Sequence, residues 1–154
     1  MNYYEEKIKK YINTKKIKAE HLSFKTSCHS VEEAAKTLNA SAGDLVKNIC
    51  LLDKVGNLIV AIVKGEDRVS TKRIGMILGI DPPQVARPEE ILEKTGYVCG
   101  GVPSFGYPAN FLIDPKVLEK EIVYSGGGSD KSLIRISSTE LVKANQGKVV
   151  RIRK

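Results

Sequence analysis

Leu45-Val46-Lys47-Asn48-Ile49-Cys50-Leu51-Leu52 leads through Asp53 and the turn residues Lys54-Val55-Gly56-Asn57 into Leu58-Ile59-Val60-Ala61-Ile62-Val63. Two β-rich runs about a short polar turn predict a β-hairpin, the clearest local structure in the chain. A period of two places Val46, Asn48, Cys50 and Leu52 on one face of the first strand, with Lys47, Ile49 and Leu51 on the other. A lysine sharing a face with Ile49 and Leu51 either snorkels at the strand end or points into a pocket. In a pocket it would hold a phosphate or a substrate carbonyl, or act as a base once desolvation lowers its pKa.

Upstream, Tyr4, Ile8 and Tyr11-Ile12 recur at helical spacing between lysines and predict an amphipathic helix over 3–13. Residues 19–25 alternate weakly, as a strand would. Ser30-Val31-Glu32-Glu33 has the form of a capping box, so a helix is expected over Val31–Leu38. Downstream, Ser70 or Asp67 caps a helix running through Leu78 and ended by Gly79. A second helix, Glu89–Thr95, has Pro88 at its first position and Gly96 just past its end. Asn110–Ile113 reads as a short strand stopped by Asp114-Pro115. Glu121–Ser125 and Ser132–Ser137 flank the tip Gly126-Gly127-Gly128-Ser129-Asp130 as a second hairpin. Ser138-Thr139-Glu140 opens a last helix, and Val149–Ile152 forms a terminal strand. The strands do not follow a simple βαβ order, so the expectation is one mixed α/β domain over 1–154.

Between these elements lies Cys99-Gly100-Gly101-Val102-Pro103-Ser104-Phe105-Gly106-Tyr107-Pro108. So many glycines and prolines exclude a helix interior or a central strand. Such a loop is either a plain connection or a place where a ligand meets backbone N–H groups suited to an oxyanion or a phosphate.

The totals narrow the partners. The 154 residues carry a formal net charge of +7, which favours a polyanion such as nucleic acid. No apolar run reaches the roughly 20 residues that cross a bilayer, so no membrane partner is expected. The N-terminus has no signal-like apolar region. Three cysteines without paired spacing, Cys28, Cys50 and Cys99, indicate a reducing compartment, and a cytoplasmic location is expected. Cys28-His29 makes a poor metal clamp, since adjacent side chains on a strand diverge, and no metal or other cofactor is expected. No G-x-S-x-G elbow, Walker loop or dinucleotide fingerprint is present. Asp114 and Ser125 have ordinary readings as turn residues beside functional ones.

Taken together, Ser30–Ala35, Val46-Lys47-Asn48, Thr95–Gly106, Ile113-Asp114, Ser125–Gly128 and Glu140-Leu141 resemble the YbaK/prolyl-tRNA-synthetase-associated family of aminoacyl-tRNA deacylases. The resemblance spans roughly 20–150. It implies a mixed α/β fold on a curved, barrel-like β-sheet surrounded by helices, with the active pocket at its centre. It also implies hydrolysis, in trans, of the ester of a mischarged tRNA, with Ala- or Cys-tRNA(Pro) as substrates. The tRNA acceptor end would be the partner, alone or with a synthetase. The family's principal lysine falls on Lys47, its backbone-donating glycine on Gly100, the first of a pair, and its serine before the glycine tip on Ser125; N–H groups at Gly100 and Gly101 would then stabilise the oxyanion. Substrate contacts are implied for Phe24, Asn48, Val102, Asp114, Gly126 and Gly127. Asn48 stands where threonine or serine is common. A non-catalytic tRNA- or synthetase-binding module and a small-molecule esterase are the competing readings of the same features.

Overall fold

The computed structural model describes residues 2–28 and 30–154. Helix α1 (Tyr3–Lys15) opens on Asn2, whose side chain accepts the Tyr4 and Glu5 N–H groups at 2.8 and 3.0 Å. Then come β1 (Ala19–Ser23), α2 (Val31–Leu38), the hairpin β2 (Val46–Leu52) and β3 (Leu58–Lys64), and α3 (Thr71–Leu78). The two-residue β4 (Gln84–Val85) leads to α4 (Pro88–Thr95) and, beyond the glycine loop, β5 (Asn110–Ile113). The second hairpin, β6 (Ile122–Gly126) and β7 (Ser132–Ser137), is followed by α5 (Ser138–Asn145) and β8 (Lys148–Val149).

Local chemistry explains most of these boundaries. Ser30 accepts the Glu33 N–H at 3.0 Å, and Ser70, not Asp67, caps α3 by accepting the Arg73 N–H at 3.1 Å. Pro88 occupies the first turn of α4, and Gly96 ends it. The last helix begins at Ser138 as expected, with Ser137 as its cap accepting the Glu140 N–H at 3.0 Å.

The strands form two sheets. One is five-stranded in the order β4-β2-β3-β5-β8, with β2 antiparallel to β3 and to β4, and parallel pairing from β3 to β5 and from β5 to β8. The other is antiparallel, in the order β1-β7-β6. The barrel-like sheet expected from the sequence is thus not a closed barrel. The two sheets meet at an isolated bridge between Leu45 and Tyr124. The terminal strand is also shorter than expected: β8 holds only Lys148 and Val149, and the chain then leaves β5 so that Arg153 bridges Val69.

Every residue of β3 is buried, as a central strand covered on both faces must be. Val60 and Ile62 pack with Ile8 and Ile12 of α1, with Phe105 and Tyr97, and with Val123, Ile134 and Ile136 of the second sheet. Ile59, Ala61 and Val63 pack under Ile74 of α3 and Ile152. A third cluster, Cys28, Ala34, Leu45 and Leu133 with Phe24 against it, closes the gap between α2 and the second sheet. No helix among the described residues is long and apolar enough to cross a membrane.

Candidate active site

β4 covers only the far end of β2, where Leu51 opposes Val85 and Leu52 opposes Gln84. The Cys50 carbonyl accepts the Ala86 N–H at 2.9 Å, so the even-numbered backbone groups of β2 point away from β3. From Val46 to Asn48 that edge is left unladdered, and a cavity of about 310 Å³ lies against it. Five consecutive residues of β2, Val46 to Cys50, line the cavity, as expected when a strand presents its edge rather than one face. Opposite stand Cys99, Gly100, Val102 and Gly126; Cys28, Val31, Ala34, Leu45 and Leu133 form an apolar wall.

Lys47 is half-buried and lines this cavity. Loss of hydration on burial, followed by the charge of Arg68, holds its ammonium below the usual lysine range, against an opposing pull from Asp67. Burial similarly pushes the neighbouring Cys50 thiol up to about 12, so at neutral pH it is a neutral, small apolar group.

Asn48 leaves β2 on the opposite face and enters a closed polar ring. Its Nδ2 donates to the Val102 carbonyl at 2.9 Å, and the Ser104 hydroxyl donates to its Oδ1 at 2.7 Å. Ser125, fully buried, lies 2.6 Å from the Ser104 oxygen and 3.4 Å from Asn48 Nδ2. With the Ser104 proton committed to Asn48, Ser125 is the donor between the two hydroxyls. Ser125 therefore sits behind the wall, while its neighbours Tyr124 and Gly126 line the cavity.

The two glycine loops lie back to back. A Cβ on Gly126 would come within 2.2 Å of the Val102 oxygen, and one on Gly101 within 2.6 Å of the Gly128 carbonyl carbon. Gly101 is also committed through its backbone: its N–H donates to Val98 O at 3.0 Å and its carbonyl accepts the Gly128 N–H at 2.8 Å. Gly100, at φ +92°, lines the cavity, and its N–H has no partner among the described residues.

Lys47, Asn48, Gly100, Val102 and Gly126 are thus brought together at the cavity, with Ser125 and Gly101 directly behind them. Three residues implied as substrate contacts are placed elsewhere. Phe24 packs behind the apolar wall. Gly127 presents its carbonyl to His21 Nε2 at 2.8 Å and is pressed against Ser132. Asp114 is fully buried away from the cavity, where its carboxylate accepts the Ile152 and Arg153 N–H groups and the Arg153 guanidinium, the last at 2.8 Å. His29 lies outside the described residues. Sequence reasoning missed Ser104, which is central to the polar ring. It also missed that all three cysteines line one cavity, for which no local pattern gives a signal.

Comparison with known proteins follows the same lines. YwhH of Bacillus subtilis (strain 168) is 27% identical over 128 residues, covering 82% of this chain and 81% of that protein. The crystal structure of the hypothetical protein APE2540 superposes with a TM-score of 0.88 at 29% identity, over 96% of this chain and 99% of that one. A candidate trans-editing enzyme for prolyl tRNA synthetase shares the fold at a TM-score of 0.92 and 24% identity, over 100% of this chain and 99% of its own. The pattern of the aminoacyl-tRNA editing domain matches residues 25–144, a span that contains every residue of the cavity wall, and the chain belongs to that family of YbaK-like editing domains.

Proposed function

We propose that the chain is a deacylase acting in trans on mischarged tRNA, with Ala- or Cys-tRNA(Pro) as substrate. One observation carries the reading: Lys47 and Gly100, whose N–H has no partner among the described residues, line one cavity of about 310 Å³ in a chain of the editing family. That volume is near the lower end for ligand sites, roughly 300–1,000 Å³, and suits a small side chain with part of the terminal ribose. The wall of Cys28, Val31, Ala34, Leu45 and Leu133 offers such a side chain an apolar seat. A synthetase distinguishes small apolar side chains by only about 1–3 kcal/mol per methylene, so a second, size-selective cavity is the physical remedy.

In this reading Lys47 holds the terminal adenosine or its phosphate. Water adds to the ester carbonyl carbon, the bond from that carbon to the ribose oxygen breaks, and the ribose oxygen takes a proton as the amino acid leaves. The Gly100 N–H stabilises the oxyanion, beside the stretch of β2 from Val46 to Asn48 that β4 leaves uncovered. Gly101 acts as the packing residue that shapes this turn, because its own N–H is bonded to Val98. Ser125 holds Asn48 and Val102 in place through the polar ring. The vicinal ribose hydroxyl of the substrate assists proton transfer.

The test is to incubate the protein with Ala-tRNA(Pro), Cys-tRNA(Pro) and Pro-tRNA(Pro), beside Lys47→Ala. Release of a mischarged amino acid that disappears in the variant is the expected result. A fully active Lys47→Ala protein overturns the assignment of Lys47. Hydrolysis of none of the three esters, with tRNA binding retained, would favour a non-catalytic binding module.

A further inference from the structure

Beyond Lys47 the surface carries charge that the fold itself does not use. After β3 the chain passes through Asp67-Arg68-Val69-Ser70 into α3, and the C-terminal segment runs antiparallel beside it. Ser70 N–H donates to the Ile152 carbonyl at 2.7 Å and Lys154 N–H to the Arg68 carbonyl at 2.8 Å, with Val69 opposing Arg153. This register sets Arg68 directly across from Lys154, both exposed. Like charges directly opposed on neighbouring strands are destabilising.

A second unfavourable arrangement lies at the same corner. Among the described residues, α3 is the one α-helix whose first turn holds no acidic side chain. Lys72 and Arg73 stand there instead, at the positive end of the helix dipole. The nearby acids are already taken. Asp67 lies 3.8 Å from Lys116, and Asp114 holds Arg153 at 2.8 Å. Some cations elsewhere are matched, as in Lys54 with Asp81, Arg87 with Glu89 and Glu90, and Lys120 with Asp44. Among the described residues, Arg68, Lys72 and Lys154 have no ion-pair partner. Lys47, which lines the cavity, pairs across β2 and β3 with Val63, five residues before Arg68, and feels the Arg68 charge.

We propose that Arg68, Lys72 and Lys154 form a phosphate-binding strip that takes the sugar-phosphate backbone of the tRNA acceptor end leading into the Lys47 cavity. The inference rests on the deacylase reading and adds to it the face of the chain on which the RNA lies. Two locally unfavourable charge placements become favourable together once a polyanion neutralises them.

The test is titration of uncharged tRNA(Pro) over a series of KCl concentrations, together with steady-state deacylation. The wild type is compared with Arg68→Ala/Lys72→Ala/Lys154→Ala and with Lys10→Ala/Lys94→Ala/Lys143→Ala, a control that removes the same charge elsewhere. The strip variant is expected to bind at least about tenfold more weakly at low salt, its log–log salt slope reduced by about 2. Its KM should rise with kcat unchanged, and its Tm should be unchanged or higher as repulsion is relieved. The control should bind as wild type. Unchanged affinity in the strip variant, or equal loss in both triple variants, overturns the proposal. So does binding to anionic phospholipid vesicles, lost in the strip variant, in place of binding to tRNA. If the wild type binds tRNA through the strip but hydrolyses no ester, the deacylase reading fails while the strip stands.

Discussion

Glu5 of α1 accepts the hydroxyl of Ser129, in the tip of the second hairpin, at 2.8 Å. The same carboxylate accepts Ser23 Oγ at 2.6 Å, and His21 Nε2 lies 4.0 Å from it while donating to the Gly127 carbonyl. A buried carboxylate on a helix outside the matched 25–144 span therefore ties down the glycine tip that backs the cavity. Glu5→Ala leaves the Ser23 and Ser129 hydroxyls without this acceptor and should cost about 1–3 kcal/mol, read as a lower urea midpoint. Deacylation should fall with it as the tip loosens, and Glu5→Gln should recover part of both.

Ser125→Ala removes one member of the ring with Asn48 and Ser104 without touching the cavity lining. The expected stability loss is about 1 kcal/mol. Activity should fall less than about a hundredfold, the lower end of the range for a general acid–base group. A loss as complete as that of Lys47→Ala would instead place Ser125 in contact with the reacting atoms.

Gly126→Ala drives a methyl group to 2.2 Å from the Val102 oxygen, a contact with backbone that cannot swing away. Overpacking of this kind costs about 1–3 kcal/mol or more, and it separates the two loops that carry Gly100 and Val102. A drop in Tm together with a rise in KM is expected. Gly79→Ala, with no atom within 4 Å, serves as a control in which only the strain of its positive φ is felt.

Lys47 is held below the ordinary lysine range chiefly by loss of hydration, so its charge opposes folding. Lys47→Met should keep or raise the thermal midpoint while abolishing deacylation, the signature of a residue retained for function at a cost in stability. In the wild type, activity that needs the ammonium is lost as pH rises through a pKa below 10.5. Rates corrected for spontaneous ester hydrolysis read this limb, and any activity recovered in Lys47→Arg should persist to higher pH.

Burial by itself would raise the Asp114 carboxyl. The N–H groups of Ile152, Lys116 and Arg153 and the Arg153 guanidinium outweigh it and hold the group below its ordinary 3.8. A depressed folded pKa contributes stability that is complete above the unfolded value and is lost as pH falls through the folded one. Unfolding free energy should therefore decline below about pH 4 in the wild type, and Asp114→Asn should be less stable at pH 7 with a flatter acid limb. Urea titrations at pH 7, 4 and 2.5 read the difference.

Nearest-neighbour chemistry was sufficient for the helices and hairpins of this protein. A serine before Val31, a proline at position 88, a glycine at 79 and a polar turn at 53–57 each act within a few residues, and the helices and hairpins appear where they place them. The alternation that set Lys47 and Asn48 on opposite faces of β2 also follows from local geometry alone. Tertiary structure decided what each face met. Asn48 reached Ser125 across 77 positions, Glu5 reached Ser129 across 124, and Asp114 was drawn to Arg153 across 39 and so away from the cavity. The terminal strand shortened because its last residues pair with the segment before α3, and the two sheets meet at the Leu45–Tyr124 bridge rather than along a full ladder. Those outcomes depend on which distant segments close over a shared apolar core, a condition no short window of sequence contains. The cavity exists because β2 was left with an open edge, and that is a property of the packed chain rather than of any one of its segments.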